Sequence, residues 1–306
     1  MCCLFGIIDY RHSLSAKQKN RILSALATAA EVRGTDATGI AYNSGGKLRI
    51  YKRPWPAHLM YFRVPDDARV VMGHTRMTTQ GSARYSYNNH PFHGSVNTGP
   101  FALAHNGVLY NDEDLRISRN LPQTKVETDS YIAVQLIEQK KTLDFSSLKT
   151  VAESVRGSFV FTVLDSNDAL FVVKGDNPMC IYHDASSGVY LYASTEEILK
   201  RALSKVRLPL KHPVSIKISC GDILRIDPSG NLTWQRFDDS KLLTDWYSPL
   251  WRSYYAPCKA NHTNSHMDEL KSVAMAFGYE PENIDLLAAQ GFTADEIEEF
   301  FYGGEL

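Results

Sequence analysis

Residues 1–9 read Met-Cys-Cys-Leu-Phe-Gly-Ile-Ile-Asp, a short apolar run with cysteine at its head and a carboxylate at its foot. A run of that length closed by a polar residue predicts a buried strand. Removal of the initiator would leave Cys2 with a free α-amino group beside its own thiol. An α-amine titrates near roughly 7.7–8.0 and a cysteine thiol near about 8.5, so the amine can serve as the base that makes the thiolate. A chain can also begin Met-Cys for no catalytic reason. The dipeptide gains meaning only if a substrate clamp and an oxyanion hole lie elsewhere in the sequence.

Outward from this strand, apolar runs bounded by turn residues predict further strands at 39–42, 48–52, 70–74, 101–105, 157–164, 169–173, 189–193, 215–218 and 223–226. Gly45-Gly46, Ser187-Gly188 and Ser229-Gly230 supply turns between them. Helical periodicity covers 16–32, 129–139, 148–155 and 196–203. Helices grouped between blocks of strands point to a layered α+β fold rather than a doubly wound parallel sheet. From 238 to 265 the pattern dissolves into an aromatic linker, expected to wrap on the main body through Trp246, Trp251, Tyr254 and Tyr255. Beyond it, 267–277, 282–289 and 294–301 read as three short helices, with Pro281 and Thr293 as starts and Gly291 as a stop. Gly291-Phe292-Thr293 followed by Asp295-Glu296-Ile297 resembles the loop and cap of ubiquitin-associated three-helix modules, which implies a partner-binding tail. The expected organisation is a main domain over 1–237, the linker over 238–265 and a helical module over 266–306.

At 306 residues and 43% hydrophobic, the chain can bury at least one large core. Its 33 basic and 34 acidic residues leave a net charge of −1, which gives no electrostatic case for nucleic acid or an anionic membrane as partner. The first apolar run is too short for a signal peptide, and no stretch is long enough to span a bilayer, so cytoplasmic residence is expected. The five cysteines contain no CxxC pair, which argues against a disulfide framework and a structural zinc site. Cys258, His262 and His266 are spaced by four, but three ligands in a linker-like context make a weak metal site. Cys180 and Cys220 fall in apolar, strand-like runs and read as buried structural thiols.

Gly73-His74-Thr75-Arg76 closes a predicted strand, where a guanidinium could grip a carboxylate through two donors. A strand-end arginine serves as often in a surface ion pair. His105-Asn106-Gly107 closes another strand and offers the Asn106 side-chain amide and the Gly107 backbone N–H, two donors fit for an oxyanion hole. Asn-Gly is equally the commonest hairpin turn. Asp129 is expected in the first turn of the 129–139 helix, where it suits the helix dipole or pairs with a substrate ammonium.

Taken in order, Cys2 with Phe5-Gly6, Arg33-Gly34-Thr35-Asp36, Gly39, Gly73-His74-Thr75-Arg76, Thr79 with Gly81, Asn89-His90-Pro91-Phe92, His105-Asn106-Gly107 and Glu127-Thr128-Asp129 resemble the class II glutamine amidotransferase domain of the N-terminal nucleophile hydrolases. The resemblance covers roughly the first 235 residues. It implies a four-layer αββα sandwich, Cys2 as nucleophile, Arg76 as clamp for the glutamine α-carboxylate and Asp129 as partner of its α-amino group. Asn106 and Gly107 become the oxyanion hole, Thr79 and His90 shape the pocket, and Arg33 and Asp36 support the nucleophile from behind. No metal or organic cofactor is implied.

Three departures stand out. Cys3 replaces the glycine that usually follows the nucleophile, Met77 stands where many members carry Trp or Tyr, and Ala37 replaces a common serine. The residues after 237 are too few for a synthase domain and contain no Walker-type glycine loop. The expectation is a stand-alone glutaminase subunit whose ammonia goes to a synthase on a separate chain. A γ-glutamyl amide or peptide hydrolase would use the same clamp, and a glutamine-sensing scaffold without turnover is a third possibility. Asn89, Tyr85 and Tyr87 either line the pocket or cover it.

Overall fold

The computed structural model describes residues 2–206, 213–245, 267, 270–271, 280–293 and 297. The first strand, β1 (Cys3–Asp9), alternates as its length demands. Cys3, Phe5 and Ile7 face one apolar layer, Leu4 and Ile8 the other. Asp9 ends the strand by accepting the N–H groups of Ser13 and Leu14, and it pairs with the buried Lys19 ammonium at 3.5 Å.

Two antiparallel sheets follow. The first contains β1, β2 (Ala37–Ser44), β3 (Lys47–Arg53), β4 (Val70–Arg76), β9 (Cys180–Asp184), β10 (Val189–Ala193) and β11 (Val214–Ile216), in the order β11-β9-β10-β1-β4-β2-β3. The second contains β5 (Phe92–Val96), β6 (Gly99–Leu109), β7 (Gly157–Leu164), β8 (Leu170–Lys174), β12 (Asp222–Ile226) and β13 (Leu232–Arg236), in the order β13-β12-β8-β7-β6-β5.

Helices α1 (Ala16–Ala29) and α5 (Glu196–Lys205) cover the first sheet, while α3 (Tyr131–Lys140) and α4 (Phe145–Ser154) cover the second. Three apolar layers separate these four. Ile22, Leu23 and Leu26 of α1 meet Phe5 and Ile7. Leu4, Met72, Val160 and Val172 fill the space between the sheets. Ile132, Leu136, Leu148 and Phe161 form the third. This is the αββα sandwich expected. Local signals agree with it: a Ser15–Gln18 capping box opens α1, and Gly45, Gly46, Gly188 and Gly230 take positive φ at the expected turns.

Several expected boundaries move. The 16–32 helix stops at Ala29 and tightens into a 3₁₀ turn over Ala30–Arg33. The helix expected from Asp129 begins at Tyr131, because the Asp129 carboxylate is turned back to accept the Leu109 N–H. Cys220 sits in the turn before β12, not in a strand, and both it and Cys180 are only half-buried. Strands β5 and β13 and the short helix α2 (Asp112–Ser118) were not anticipated.

The chain divides into two compact units, 1–242 and 243–306, with α6 (Ser240–Asp245) at the division. In the second unit α7 (Glu282–Ala289) matches the middle helix expected, and Gly291 follows it at φ +96°. Leu270, Ile284 and Ile297 are buried together there. The linker aromatics Trp246, Trp251, Tyr254 and Tyr255, the Cys258, His262 and His266 trio, and most of the flanking helices lie outside the described residues. No helix among the described residues is long and apolar enough to cross a membrane.

Candidate active site

β1 and β4 run antiparallel with Cys3 opposite Thr75, so the head of one and the end of the other meet at the same edge of the sheet. This register brings Cys2 and Arg76 together. Arg33, entirely buried, donates from Nε to the Cys2 carbonyl at 3.1 Å. The Cys2 thiol donates to the Met77 carbonyl at 3.5 Å. Asp36 accepts the Thr78 N–H at 2.7 Å and so pins the segment that follows Met77. Gly34 permits this arrangement, since a Cβ there would lie 2.4 Å from the Arg76 carbonyl carbon and 2.5 Å from the Met77 nitrogen.

The Arg76 side chain is 3% exposed. It donates through Nη1 to Asn89 Oδ1 at 2.6 Å and through Nη2 to the carbonyls of Gln80 and Gly81. Both Nη2 hydrogens go to these carbonyls, so the donors that remain for a carboxylate are the Nε–H and one Nη1–H, on separate edges of the guanidinium. Gln80 reaches the other way and accepts the Asp129 N–H on its Oε1 at 3.0 Å. Asp129 accepts from the Leu109 N–H at 2.6 Å and from the Ser130 hydroxyl at 3.3 Å. Arg76 and Asp129 are therefore tied through one residue, Gln80, by its backbone carbonyl on one side and its side-chain oxygen on the other.

A cleft gathers these groups. It is lined by Cys2, Arg76, Met77, Thr79, Gln80, His90, His105, Gly107 and the 128–130 segment. Its free space is about 10 Å³, room for about one water, so a larger substrate enters only if the lining shifts. Asn106 does not line the cleft. Its side-chain amide lies behind, with Nδ2 3.5 Å from the Ser194 hydroxyl, while its backbone carbonyl accepts from the Asn177 side-chain amide. Gly107 does line it, at φ +140°, and a Cβ there would lie 2.0 Å from the Ser158 carbonyl oxygen.

Burial pushes the Cys2 thiol above its ordinary value, while the Arg76 guanidinium pulls it back and Asp129 adds to the rise. The neutral thiol is then the resting form, and a base must act on it. Burial also weakens every nearby imidazole. His74 is pushed down to about 3, His90 well below its usual range, and His105 also down. His74 and His90 rings lie 4.2 Å apart, and neither nitrogen of His90 has a hydrogen-bond partner. Imidazoles that hold a proton so poorly make weak bases toward a thiol.

Of the residues singled out in the sequence, Cys2, Arg76, Thr79, His90, Gly107 and Asp129 share the cleft, while Arg33 and Asp36 support it from behind. Asn89 belongs to the support, since it holds Arg76 and is 1% exposed. Tyr85 and Tyr87 stack on each other at 5.2 Å outside the lining. Gln80, His105, Ser130 and the Met77 carbonyl were missed.

A family model for a glutamine amidotransferase domain matches residues 74–201, which include the strand end at Arg76, Asn106-Gly107 and Asp129. Over those residues the chain carries a glutamine amidotransferase domain of the class II type. Its relatives include the glutamine–fructose-6-phosphate aminotransferase (isomerizing) of Sulfurisphaera tokodaii, 33% identical over 59% of this chain and 31% of that protein. The enzyme of the same name from Staphylococcus aureus is 28% identical over 76% of this chain and 38% of its own length. The chain thus spans about a third of the curated relatives it matches. The Bacillus subtilis glutamine phosphoribosylpyrophosphate amidotransferase, solved with ADP and GMP, superposes with a TM-score of 0.61 at 21% identity, covering 78% of this chain and 49% of that one. An allosteric regulatory enzyme of purine biosynthesis gives 0.61 at 19%, over 90% and 58%. These structures share the amidotransferase domain's fold.

Two departures from the family pattern acquire a physical setting. Cys3 is fully buried in the apolar layer under α1, so in the amidotransferase domain it is a packing residue on the face of β1 toward the helices. Met77 borders the cleft where many members place an aromatic ring.

Proposed function

We propose that this chain hydrolyses the side-chain amide of L-glutamine through Cys2 and releases ammonia for an acceptor on another chain. The observation that carries the reading is that Cys2, Arg76, Gly107 and Asp129 border one cleft. With the initiator removed, the Cys2 α-amine takes the thiol proton, and the thiolate attacks the amide carbon. The oxyanion is held by the Gly107 N–H, joined by the Asn106 amide once it turns from Ser194 toward the cleft. The α-ammonium returns its proton to the leaving nitrogen, and ammonia departs from a glutamyl thioester. The same amine then deprotonates water, which attacks the thioester to yield glutamate and restore the thiol.

Arg76 holds the α-carboxylate and Asp129 the α-ammonium of the substrate, with Thr79 and His90 shaping the pocket. No step calls for a metal or organic cofactor. The neutral, weakly basic histidines around the cleft support the α-amine as base. The partner would be a synthase on a separate chain, in keeping with relatives whose names couple glutamine to a second reactant. A cytoplasmic location goes with this role. The purified chain, with its N-terminus checked by intact mass, should release ammonia and glutamate from glutamine. Full activity in Cys2→Ala would sink the reading.

Met77 favours one variation. An unbranched thioether yields more readily than an indole or phenol, so the cleft could admit a larger leaving group. The protein would then cleave γ-glutamyl amides or peptides with the same clamp. Comparison of kcat/KM for glutamine and γ-glutamyl peptides separates the two.

A further inference from the structure

Lys52 lies on β3, the edge strand of the first sheet, yet its ammonium is turned inward. It sits 5.2 Å over the Phe92 ring and donates from Nζ to two backbone carbonyls, those of Asn89 (2.5 Å) and Pro91 (2.9 Å). The side chain reaches them across β2 at Gly39, where a Cβ would lie 2.2 Å from the His90 carbonyl oxygen and 2.8 Å from the Lys52 Cβ. Asn89 is held on three sides: Lys52 takes its carbonyl, Arg76 its side-chain oxygen, and the Ala83 carbonyl its side-chain N–H at 2.7 Å.

An unbroken series of hydrogen bonds follows. It runs from Lys52 to Asn89, from Asn89 to Arg76, from Arg76 to Gln80, and from Gln80 to Asp129. We propose that Lys52 is a positioning residue for the substrate clamp: by fixing the Asn89–Pro91 segment against the sheet, its ammonium sets the placement of the Arg76 guanidinium. The proposal rests on the glutaminase reading for its kinetic consequence, while its structural consequence stands apart from it.

The chemistry of the site makes this more than scaffolding. Two carbonyls are a natural receptor for an ammonium, and hydrogen bonds to a charged donor are the strong ones. The groups facing Lys52 are cationic or neutral: Arg76 and His74 from β4 and His90 from the segment it holds. Burial, helped by the Arg76 charge, brings the Lys52 ammonium down to about 8. The tie is therefore at full strength near neutrality and weakens as pH rises through about 8, where the amine loses its charge. Loosening it frees Asn89 and lets Arg76 drift, which costs substrate affinity before it costs turnover.

The test is Lys52→Met, which keeps the unbranched stem and removes the donor. Glutamine KM is expected to rise about tenfold as the two charge-assisted hydrogen bonds that fix the Asn89–Pro91 segment are lost, with kcat changed much less. The same substitution in an Asn89→Ala background should add little, because both act through one link. In the wild-type chain KM should climb between pH 7 and 8.5, and the climb should vanish in Lys52→Met. An unchanged KM in Lys52→Met, full additivity with Asn89→Ala, or a flat wild-type KM profile each overturns the proposal while leaving the glutaminase reading intact. Hydrogen exchange in residues 78–91 supplies a readout free of catalysis. It should quicken in Lys52→Met and in the wild type at pH 9 after correction for intrinsic rates, and unchanged protection overturns the proposal even if the chain proves inactive on glutamine.

Discussion

Arg33 donates from Nε to the carbonyl oxygen of Cys2 at 3.1 Å, and not one part of its side chain is exposed. A buried guanidinium is costly, and it is retained here at the one backbone group that decides where the thiol stands. Loss of that bond should shift Cys2 by a fraction of an ångström without touching the clamp. Arg33→Met is expected to lower kcat about 100-fold with KM changed by less than about threefold. Steady-state glutamate release measures both. Wild-type kcat in a folded variant would show that Cys2 needs no such support.

Gly34 makes a sharper demand. The backbone of Arg76 and Met77 lies where its Cβ would stand, 2.4–2.7 Å away. Gly34→Ala must push the end of β4 outward, and with it the Met77 carbonyl that receives the Cys2 thiol. The expected costs are about 2 kcal/mol of stability and a fall in kcat/KM of at least about tenfold. Denaturant titration and kinetics on one preparation check both, and an active, fully stable variant would contradict the close approach.

The sequence was legible where burial is two-sided. β1, β7 and β10 read as continuous apolar runs because both faces meet apolar layers. β5 and β13 are the edges of the second sheet, and β13 exposes four of its five residues, so neither carries an apolar signature. Helix α2 opens Asp112-Glu113-Asp114 and buries only Asp112 and Leu115. In the site, Cys2, Arg76, Gly107 and Asp129 were visible because their chemistry resides in side chains or in glycine. The Met77 carbonyl and the carbonyls held by Lys52 were not, since a backbone acceptor leaves no mark on residue identity.

His90 separates function from stability. Both ring nitrogens are buried without a partner, and the ring lies against His74 and Phe92. An unsatisfied polar pair is a standing cost, so His90→Phe should leave Tm unchanged or raise it. If His90 shapes the substrate pocket, glutamine KM should rise in the same variant. A loss of stability with unchanged KM would assign the histidine to the core alone.

Cys3 and Cys2 are neighbours in sequence with opposite surroundings. Cys3 is completely buried under α1, whereas Cys2 is partly accessible and borders the cleft. Brief iodoacetamide treatment with site mapping should label Cys2 and spare Cys3 until the chain unfolds. Cys3→Gly, which restores the family residue, should cost about 2 kcal/mol through lost packing and added chain entropy, with little change in kcat. Equal labelling of both thiols would place Cys3 in the site after all.

Acid should expose the three buried imidazoles. In the folded chain His74 holds its proton only near pH 3, and His90 and His105 are also depressed, all by burial first. In the unfolded chain each accepts a proton below about 6.5. Between those limits the unfolded state binds more protons, so stability falls as pH is lowered from 6.5 toward 3 and is fully present above 6.5. Each unit of depression is worth about 1.4 kcal/mol, and for three histidines the loss by pH 4.5, above most carboxylate titrations, should be several times that. Tm measured from pH 7.5 to 4.5 should drop steeply below 6.5. His90→Phe should flatten the drop by removing one of the three groups. A Tm that holds level to pH 4.5 would mean that the imidazoles find water or protons in the folded state, and the case for the Cys2 amine as the base would weaken with it.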